Sequence, residues 1–205
     1  MIHQRTARIL ALGDSYTIGE AVADDARWPV RLAALLRARS VEVAPPEIVA
    51  QTGWTTDELA RGIEAAQPRG PFDVVTLLIG VNNQYRGRPP SEFRDQLRDL
   101  LARAIAFAGG ASDHVIVLSI PDWSVTPFAD GSDRARVARE IEEFNAINLA
   151  EANRVGARYV DVTPISRRAA GEPDLIAGDG LHPSGNMYDE WARAVLPQTV
   201  RILSG

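Results

Sequence analysis

The chain has 205 residues, of which 45% are hydrophobic and 24% are charged, and it contains no cysteine. This length and composition predict a globular chain with room for one sizeable core, and we expect a single domain over residues 1–205. The net charge of −5 gives no general attraction to nucleic acids or anionic membranes, and the lack of cysteine excludes disulfides, thiolate metal sites and a cysteine nucleophile.

The N-terminal segment runs directly into the first apolar stretch and has no hydrophobic core of the length that a signal peptide needs. No stretch of the chain is apolar enough to span a bilayer. The sequence as given therefore indicates a cytoplasmic protein, with neither nucleic acid nor a membrane span among its expected partners.

Apolar runs alternate with helical patterns along the chain. The apolar runs predict five strands, at 9–12, 47–51, 72–79, 114–120 and 158–162. Apolar residues at helical spacing predict five helices, at 28–39, 55–66, 91–108, 133–155 and 184–203. Thr55 and Glu58 match a capping box, and Ser184 is the expected cap of the last helix. The alternation predicts a parallel sheet with helices on both faces.

The longest segments without a predicted element follow the first, third, fourth and fifth strands. They are residues 13–27, 80–90, 121–132 and 163–183. Because parallel strands end at the same edge of a sheet, we expect these segments to meet at the carboxyl edge, where open α/β sheets bind ligands.

Ser15 lies in Gly13-Asp14-Ser15-Tyr16, directly after the first predicted strand. This position makes Ser15 the candidate nucleophile, although Gly, Asp and Ser are ordinary turn residues and the tetrapeptide alone favours a turn. A serine hydroxyl is a weak nucleophile at neutral pH, so it needs an adjacent base and a group that orients the base.

The sequence has only three histidines, so the base can be sought by elimination. His3 lies in the terminal segment, and His114 begins a predicted strand at the edge opposite Ser15, which leaves His182. Asp179 precedes His182 by three residues, and one turn brings such a pair to the same side. The alternative is a polar turn before a capped helix, which is the commoner case for two residues in a Gly/Pro loop.

Two segments offer hydrogen-bond donors for an oxyanion. Gly53 follows the second predicted strand, and its backbone N–H can approach a ligand closely because no β-carbon intervenes. Asn82 and Asn83 follow the third strand, and either amide can donate. Each segment has an ordinary alternative, a turn glycine in the first case and a polar loop in the second.

Four segments in this order resemble the SGNH hydrolases, also called GDSL esterases and lipases. The matching segments are Gly13-Asp14-Ser15-Tyr16, Gly53 in its loop, Gly80-Val81-Asn82-Asn83 and Asp179-Gly180-Leu181-His182. Each block alone is weak, but four in the right order and strand-end context are specific, and the resemblance covers nearly the whole chain.

The resemblance implies a flavodoxin-like three-layer α/β/α fold with a central parallel sheet of about five strands. It implies a Ser15–His182–Asp179 triad, with the oxyanion held by the backbone N–H groups of Ser15 and Gly53 and by the side chain of Asn82 rather than Asn83. The implied reaction is hydrolysis of a small-molecule carboxylic ester through an acyl-enzyme on Ser15, without a metal or an organic cofactor. A short acyl group is favoured because no lid or long apolar loop is evident.

Two positions depart from the family pattern: Tyr16 stands where leucine is usual, and Asn83 stands where aspartate is frequent. The residue at position 16 takes no part in the chemistry, whereas the residue at position 83 bears on how the loop of Asn82 is held.

An α/β-hydrolase shares the order Ser, Asp, His, but it needs Gly-x-Ser-x-Gly, and Thr17 occupies the last position here. A non-catalytic flavodoxin-like ligand-binding module is the remaining alternative, with residues 15–19 as a phosphate-binding loop.

Several large or charged side chains flank these loops and are candidates for substrate contact. The candidates for an acyl or alcohol pocket are Trp54, Tyr85, Trp123, Phe128 and Met187. Arg86 and Arg88 are candidates for meeting an acidic group on a substrate. For each of these side chains alone, loop anchoring, core packing or a solvated rim is the commoner role.

Overall fold

The computed structural model describes residues 6–205, so the prediction for His3 lies outside the described residues. Within that range the strands form one five-stranded parallel sheet: β1 (Ile9–Gly13), β2 (Glu47–Ala50), β3 (Val74–Leu78), β4 (Val115–Leu118) and β5 (Arg158–Val160). The strand order is β2-β1-β3-β4-β5, which is the flavodoxin-like order. The predicted parallel α/β sheet is therefore confirmed.

Five long helices connect or follow the strands, and their bounds agree with the predicted ones to within two residues. They are α2 (Trp28–Arg37), α3 (Thr56–Ala66), α5 (Pro90–Phe107), α6 (Arg134–Val155) and α8 (Gly185–Ser204). Three short helices lie in segments for which no element is predicted: α1 (Ser15–Ile18), α4 (Val81–Tyr85) and α7 (Thr163–Arg167). A helix of four or five residues is too short to show a hydrophobic period, and this explains why the sequence does not reveal them.

The helices cover both faces of the sheet. The step from β1 to β2 runs in one direction and the later steps run in the other, so right-handed crossovers place α2 on one face and α3, α5 and α6 on the opposite face. The observed packing agrees, because α2 contacts α8, whereas α5 contacts both α3 and α6. The result is the expected three-layer α/β/α arrangement, with β1, β3 and β4 buried at its centre.

Two predicted helix caps have different outcomes. The Glu58 carboxylate accepts a hydrogen bond from the Thr55 backbone N–H at 2.8 Å, so the capping box is confirmed. Ser184 does precede α8, but its hydroxyl donates to the Asp174 carbonyl at 2.6 Å and makes no capping bond to the helix. Ser184 is thus the N-cap residue of this helix, as predicted, but its side chain makes no capping hydrogen bond, because its hydroxyl bonds to the Asp174 carbonyl.

Gly13 marks the point where β1 turns into α1 beside β3. A β-carbon at this position would lie 2.2 Å from Thr17 Oγ1 and 2.5 Å from the Leu78 carbonyl oxygen, so only glycine fits there. This close packing brings Ser15 directly to the carboxyl edge of the sheet.

Among the helices of residues 6–205, none combines the length and the apolar composition that spanning a membrane requires.

Candidate active site

An open cleft with a volume of about 130 Å³ lies at the carboxyl edge of the sheet. Ser15, Gly53, Asn82 and His182 all line it. They come from the loops that follow β1, β2 and β3 and from the loop before α8. The structure thus brings together four of the five residues that the sequence singles out, and the fifth, Asp179, contacts His182 directly.

Asp179 is bound to His182 through both of its carboxylate oxygens. Asp179 Oδ2 lies 2.6 Å from His182 Nδ1, and Oδ1 accepts hydrogen bonds of 3.0 Å from the backbone N–H groups of Leu181 and His182. Burial acts to raise the pKa of Asp179, but these hydrogen bonds outweigh it and lower the pKa below its ordinary value. A charged carboxylate at this place keeps the proton on Nδ1 and leaves Nε2 as the acceptor of the ring.

Ser15 is the first residue of α1 and is only 5% exposed, although it lines the cleft. No hydrogen bond joins its hydroxyl to His182 within residues 6–205. Catalytic hydrogen bonds are often long in ligand-free enzymes and tighten when substrate binds. The Tyr16 ring packs against the imidazole, with 5.5 Å between the ring centroids, and so limits the movement of His182 from one side.

Two of the residues that line the cleft have unpartnered backbone N–H groups. The N–H groups of Ser15 and Gly53 have no hydrogen-bond partner among the residues that the structure describes. Gly53 has a φ of +84°, a conformation that glycine adopts without steric cost. Both N–H groups are therefore available to an anionic atom.

The two neighbouring asparagines do different things. Asn83 is fully buried, and its side chain bonds twice to Thr56: it accepts from the backbone N–H at 3.1 Å and donates to the hydroxyl at 2.7 Å. Asn82 lines the cleft, and its Nδ2 donates one N–H to the Trp54 carbonyl at 2.9 Å. Because an amide nitrogen carries two N–H bonds, Asn82 keeps one for a ligand.

Three aromatic side chains form one wall of the cleft. Tyr85, Trp123 and Phe128 lie with their ring centroids 5.6 to 6.1 Å apart. Tyr85 and Phe128 are 57% and 45% exposed, which is unusual for large apolar side chains outside a binding surface. The sequence identifies these three as candidates, whereas Thr52, Val81 and Leu181, which also line the cleft, carry no signal that marks them.

Four other candidates for substrate contact lie elsewhere. Trp54 packs over Gly62, and Met187 is buried on the far side of Tyr16 in a separate small cavity. Arg86 pairs with Glu58 at 3.1 Å, and Arg88 pairs with Asp57 at 2.8 Å and with Glu92 at 3.0 Å. The expectation that these two arginines meet an acidic group on a substrate is not supported, because carboxylates of the chain already hold them.

The described residues were compared with the requirements of a metal site and of a charged ligand site. In the described part of the chain, no group of three or more His, Asp or Glu side chains is placed to hold a metal ion. The cleft lining in that same part contains no Asp, Glu, Lys or Arg. The lining residues with polar side-chain atoms are Ser15, Tyr16, Thr52, Asn82, Tyr85, Trp123 and His182, and the Thr52 hydroxyl donates to the Glu20 carboxylate.

The sheet carries a serine and a histidine in one cleft at its carboxyl edge, with an aspartate bonded to the histidine, and this arrangement resembles that of an α/β serine hydrolase. The family model described as "GDSL-like Lipase/Acylhydrolase family" matches residues 11–190. The chain therefore belongs to this family and is a carboxylic ester hydrolase. The resemblance given by the four sequence blocks is confirmed, and the alternative of a non-catalytic module is set aside.

Individual relatives agree with this assignment. The chain is 27% identical over 205 residues to the "GDSL lipase Rv0518" of Mycobacterium tuberculosis, covering 92% of this chain and 80% of that one. Among solved structures, TesA is 20% identical with a TM-score of 0.74, covering 95% of this chain and 99% of its own. The psychrotrophic esterase EstA from Pseudoalteromonas sp., inhibited by monoethylphosphonate, is 18% identical with a TM-score of 0.73, covering 97% and 99%. At these identities the two structures support the fold alone.

Asp14 is the buried carboxyl group nearest to Ser15 in the chain. Its Oδ1 accepts a hydrogen bond from the Tyr16 backbone N–H at 3.0 Å, whereas Oδ2 is buried and has no hydrogen-bond partner among residues 6–205. Burial raises the pKa of Asp14 from 3.8 to about 7, and the bond from Tyr16 offsets only part of this effect. The folded protein therefore holds a proton on Asp14 over a pH range in which the unfolded chain has lost it.

This difference predicts a pH-dependent effect of Asp14→Asn. Because the pKa of the folded state lies above that of the unfolded state, the protonated carboxyl group stabilises the natural protein at low pH. That contribution declines as the pH rises from about 4 and is lost above about 7. Asparagine keeps the acceptor for Tyr16 but does not titrate, so the variant should gain stability relative to the natural protein across this range.

Urea unfolding of both proteins at several pH values between 4 and 8 measures this effect. The change of side chain is expected to shift the free energy of unfolding by the same amount at every pH, and such a constant difference says nothing about the pKa of Asp14. Parallel curves over the whole range would contradict the raised pKa of Asp14.

Proposed function

We propose that the chain hydrolyses esters through an acyl-enzyme on Ser15, with His182 as the general base and Asp179 as the residue that orients it. His182 Nε2 accepts the Ser15 proton as Oγ attacks the ester carbonyl carbon. The imidazolium then protonates the leaving alcohol, and the C–O bond to the alcohol breaks. Water attacks the acyl-enzyme by the same route, which releases the acid and restores Ser15.

The negative charge that develops on the carbonyl oxygen requires donors that are already in place. In this proposal the donors are the backbone N–H groups of Ser15 and Gly53 and the second N–H of Asn82. The observation that carries the proposal is that these donors, Ser15 and His182 share one cleft, while Asp179 holds His182 Nδ1 at 2.6 Å. The phosphonate inhibition stated for EstA gives further support by analogy, because phosphonates react with activated serines.

We further propose that the substrate is a neutral ester with a short acyl group. The cleft volume of about 130 Å³ is well below the roughly 300–1,000 Å³ of pockets that enclose drug-sized ligands. Its wall of Tyr85, Trp123 and Phe128 offers apolar surface, and the described lining contains no charged side chain for an ionic group.

The first prediction concerns the nucleophile. A fluorophosphonate should add once to the natural protein and not to Ser15→Ala, because only a serine activated by a base reacts quickly. Intact-mass spectrometry measures the adduct, and Ser132→Ala, which removes an exposed serine outside the cleft, is the matched control. An adduct that persists on Ser15→Ala, or no adduct on the folded natural protein, would refute the assignment of Ser15.

The second prediction separates the two asparagines. Asn82→Ala should lower kcat by about 10²–10³-fold, because it removes one oxyanion donor, and should lower the stability by only about 1 kcal/mol, because it also removes the hydrogen bond to the Trp54 carbonyl. Asn83→Ala should instead lower the stability by about 1–3 kcal/mol, because it leaves the buried Thr56 N–H without its acceptor. Steady-state kinetics and thermal unfolding of both variants measure the difference. If Asn82→Ala keeps the natural kcat, Asn82 is not an oxyanion donor.

The third prediction concerns acyl length. Across a series of p-nitrophenyl esters, kcat/KM should be highest for acetate or butyrate and fall by about tenfold or more for a dodecanoate, because a long chain extends beyond the cleft. Initial rates below the micellar concentration of each ester give this profile. A maximum at the longest chain would rule out the short-acyl proposal while leaving the catalytic residues untouched.

A further inference from the structure

Arg86 contacts the loop that carries Gly53. Its Nη2 donates to the Gly53 carbonyl oxygen at 2.7 Å, and its Nη1 donates to Glu58 Oε2 at 3.1 Å. Glu58 in turn accepts from the Thr55 backbone N–H at 2.8 Å. The guanidinium therefore joins α4 both to the Gly53 loop and to the start of α3.

Asn82 and Arg86 act on adjacent peptide groups of that loop. Asn82 donates to the Trp54 carbonyl, and Arg86 donates to the preceding carbonyl, that of Gly53. The two residues are four apart, and the backbone N–H of Arg86, the residue directly after α4, bonds to the Asn82 carbonyl at 3.0 Å, so they lie one helical turn apart on the same side. A single turn of helix thus fixes the positions of two successive carbonyl groups.

A glycine at position 53 depends on such a restraint more than a residue with a side chain would. Glycine has a wide choice of backbone conformations, and a φ of +84° is only one of them. Among the described residues, Arg86 is the only donor to the Gly53 carbonyl. The Trp54 N–H of the same peptide group bonds to the Gln51 carbonyl at 3.3 Å, so two hydrogen bonds hold the peptide after Gly53. Without Arg86 only the longer of the two remains, and Gly53 can then shift together with its own N–H, which belongs to the preceding peptide group.

We propose that Arg86 is a positioning residue that holds Gly53 with its N–H aimed into the cleft. This proposal rests on the proposed function, because it assumes that the Gly53 N–H binds the oxyanion. Arg86 is not among the described residues that line the cleft, and its guanidinium bonds to Glu58 and to the Gly53 carbonyl, so its proposed role is to position Gly53 and not to bind the substrate. Its effect is therefore on the transition state, in which the oxyanion exists, and much less on the neutral ester that binds first.

Arg88 provides a matched control within the same segment. Like Arg86, it ties the α4 loop to the first turn of α3, through a 2.8 Å bond to Asp57, but it makes no contact with Gly53. Arg86→Ala and Arg88→Ala both remove one guanidinium and one ion pair to α3. Only Arg86→Ala releases the Gly53 loop.

We expect Arg86→Ala to lower kcat by about 10- to 10²-fold, because a small misplacement of a catalytic group has an effect of this order. Its KM should stay within about threefold, and Arg88→Ala should keep the natural kcat. Arg86→Lys should fall between Arg86→Ala and the natural protein, because a single ammonium cannot hold a planar fork geometry at both partners. The lysine variant also serves if the alanine variant does not fold.

Inhibition by a tetrahedral anionic adduct separates a misplaced oxyanion donor from a general loss of packing. An alkylboronic acid adds to Ser15 Oγ and forms an anionic tetrahedral boronate, which needs the same donors as the oxyanion. Its inhibition constant for Arg86→Ala should rise by the same factor as kcat/KM falls, whereas inhibition by a neutral substrate analogue should hardly change.

The proposal is overturned if Arg86→Ala keeps the natural kcat, if Arg86→Ala and Arg88→Ala lose kcat equally, or if boronate affinity does not follow kcat/KM. Failure of the underlying function would appear separately. In that case the natural protein would take no fluorophosphonate adduct at Ser15, and both proposals would fall together.

Discussion

All strands of this hydrogen-bonded parallel sheet run in the same direction, so the loops after β1, β2 and β3 all leave from one edge. Ser15, Gly53 and Asn82 each lie only a few residues past the end of their strand. Gly13 makes this arrangement tight, because the absence of a β-carbon lets β1 turn beside the Leu78 carbonyl. The sheet thereby brings separate parts of the chain to one cleft.

The sheet alone does not fix the donors of neighbouring loops with the precision that catalysis needs. Hydrogen bonds between the loops supply this precision. Asn83 ties the loop after β3 to Thr56, while Asn82 and Arg86 hold the carbonyl groups of Trp54 and Gly53. The short helix α4 thus contributes one proposed oxyanion donor itself and restrains another. Asn83 supplies both a donor and an acceptor, which shows how asparagine serves where the family frequently has aspartate.

The sequence predicts the sheet and the long helices well, because their hydrophobic patterns extend over many residues. It also identifies Asp179 and His182 as a pair, because their contact lies within one turn of the chain. The residues alone do not choose between Asn82 and Asn83, since adjacent asparagines look alike until the fold turns one toward Thr56. That choice comes from the family resemblance. The single domain over residues 1–205 and the cytoplasmic location stay predictions.

The arginines show most clearly what a sequence of this kind does not reveal. Arg86 and Arg88 lie in a polar loop, which indicates solvent or a charged substrate. Their partners, Glu58 and Asp57, are 28 and 31 positions away in the chain. Such pairings depend on how α3 and α4 pack, and no local pattern encodes them. The same holds for Trp54, which flanks a functional loop in sequence but packs over Gly62.

These ion pairs also determine the electrostatics of the cleft. Arg86 is held by Glu58, and Asp179 is held by His182 and two backbone N–H groups, and neither belongs to the lining, which within residues 6–205 contains no Asp, Glu, Lys or Arg. In the proposed mechanism, neutral donors in a partly buried cleft act on the oxyanion with little competition from other charges. The acid product is an anion near neutral pH, unlike the ester. Under the proposed function, a cleft lining without a cation binds the neutral ester on its aromatic wall but offers the acid product no ionic partner, and this difference would favour product release.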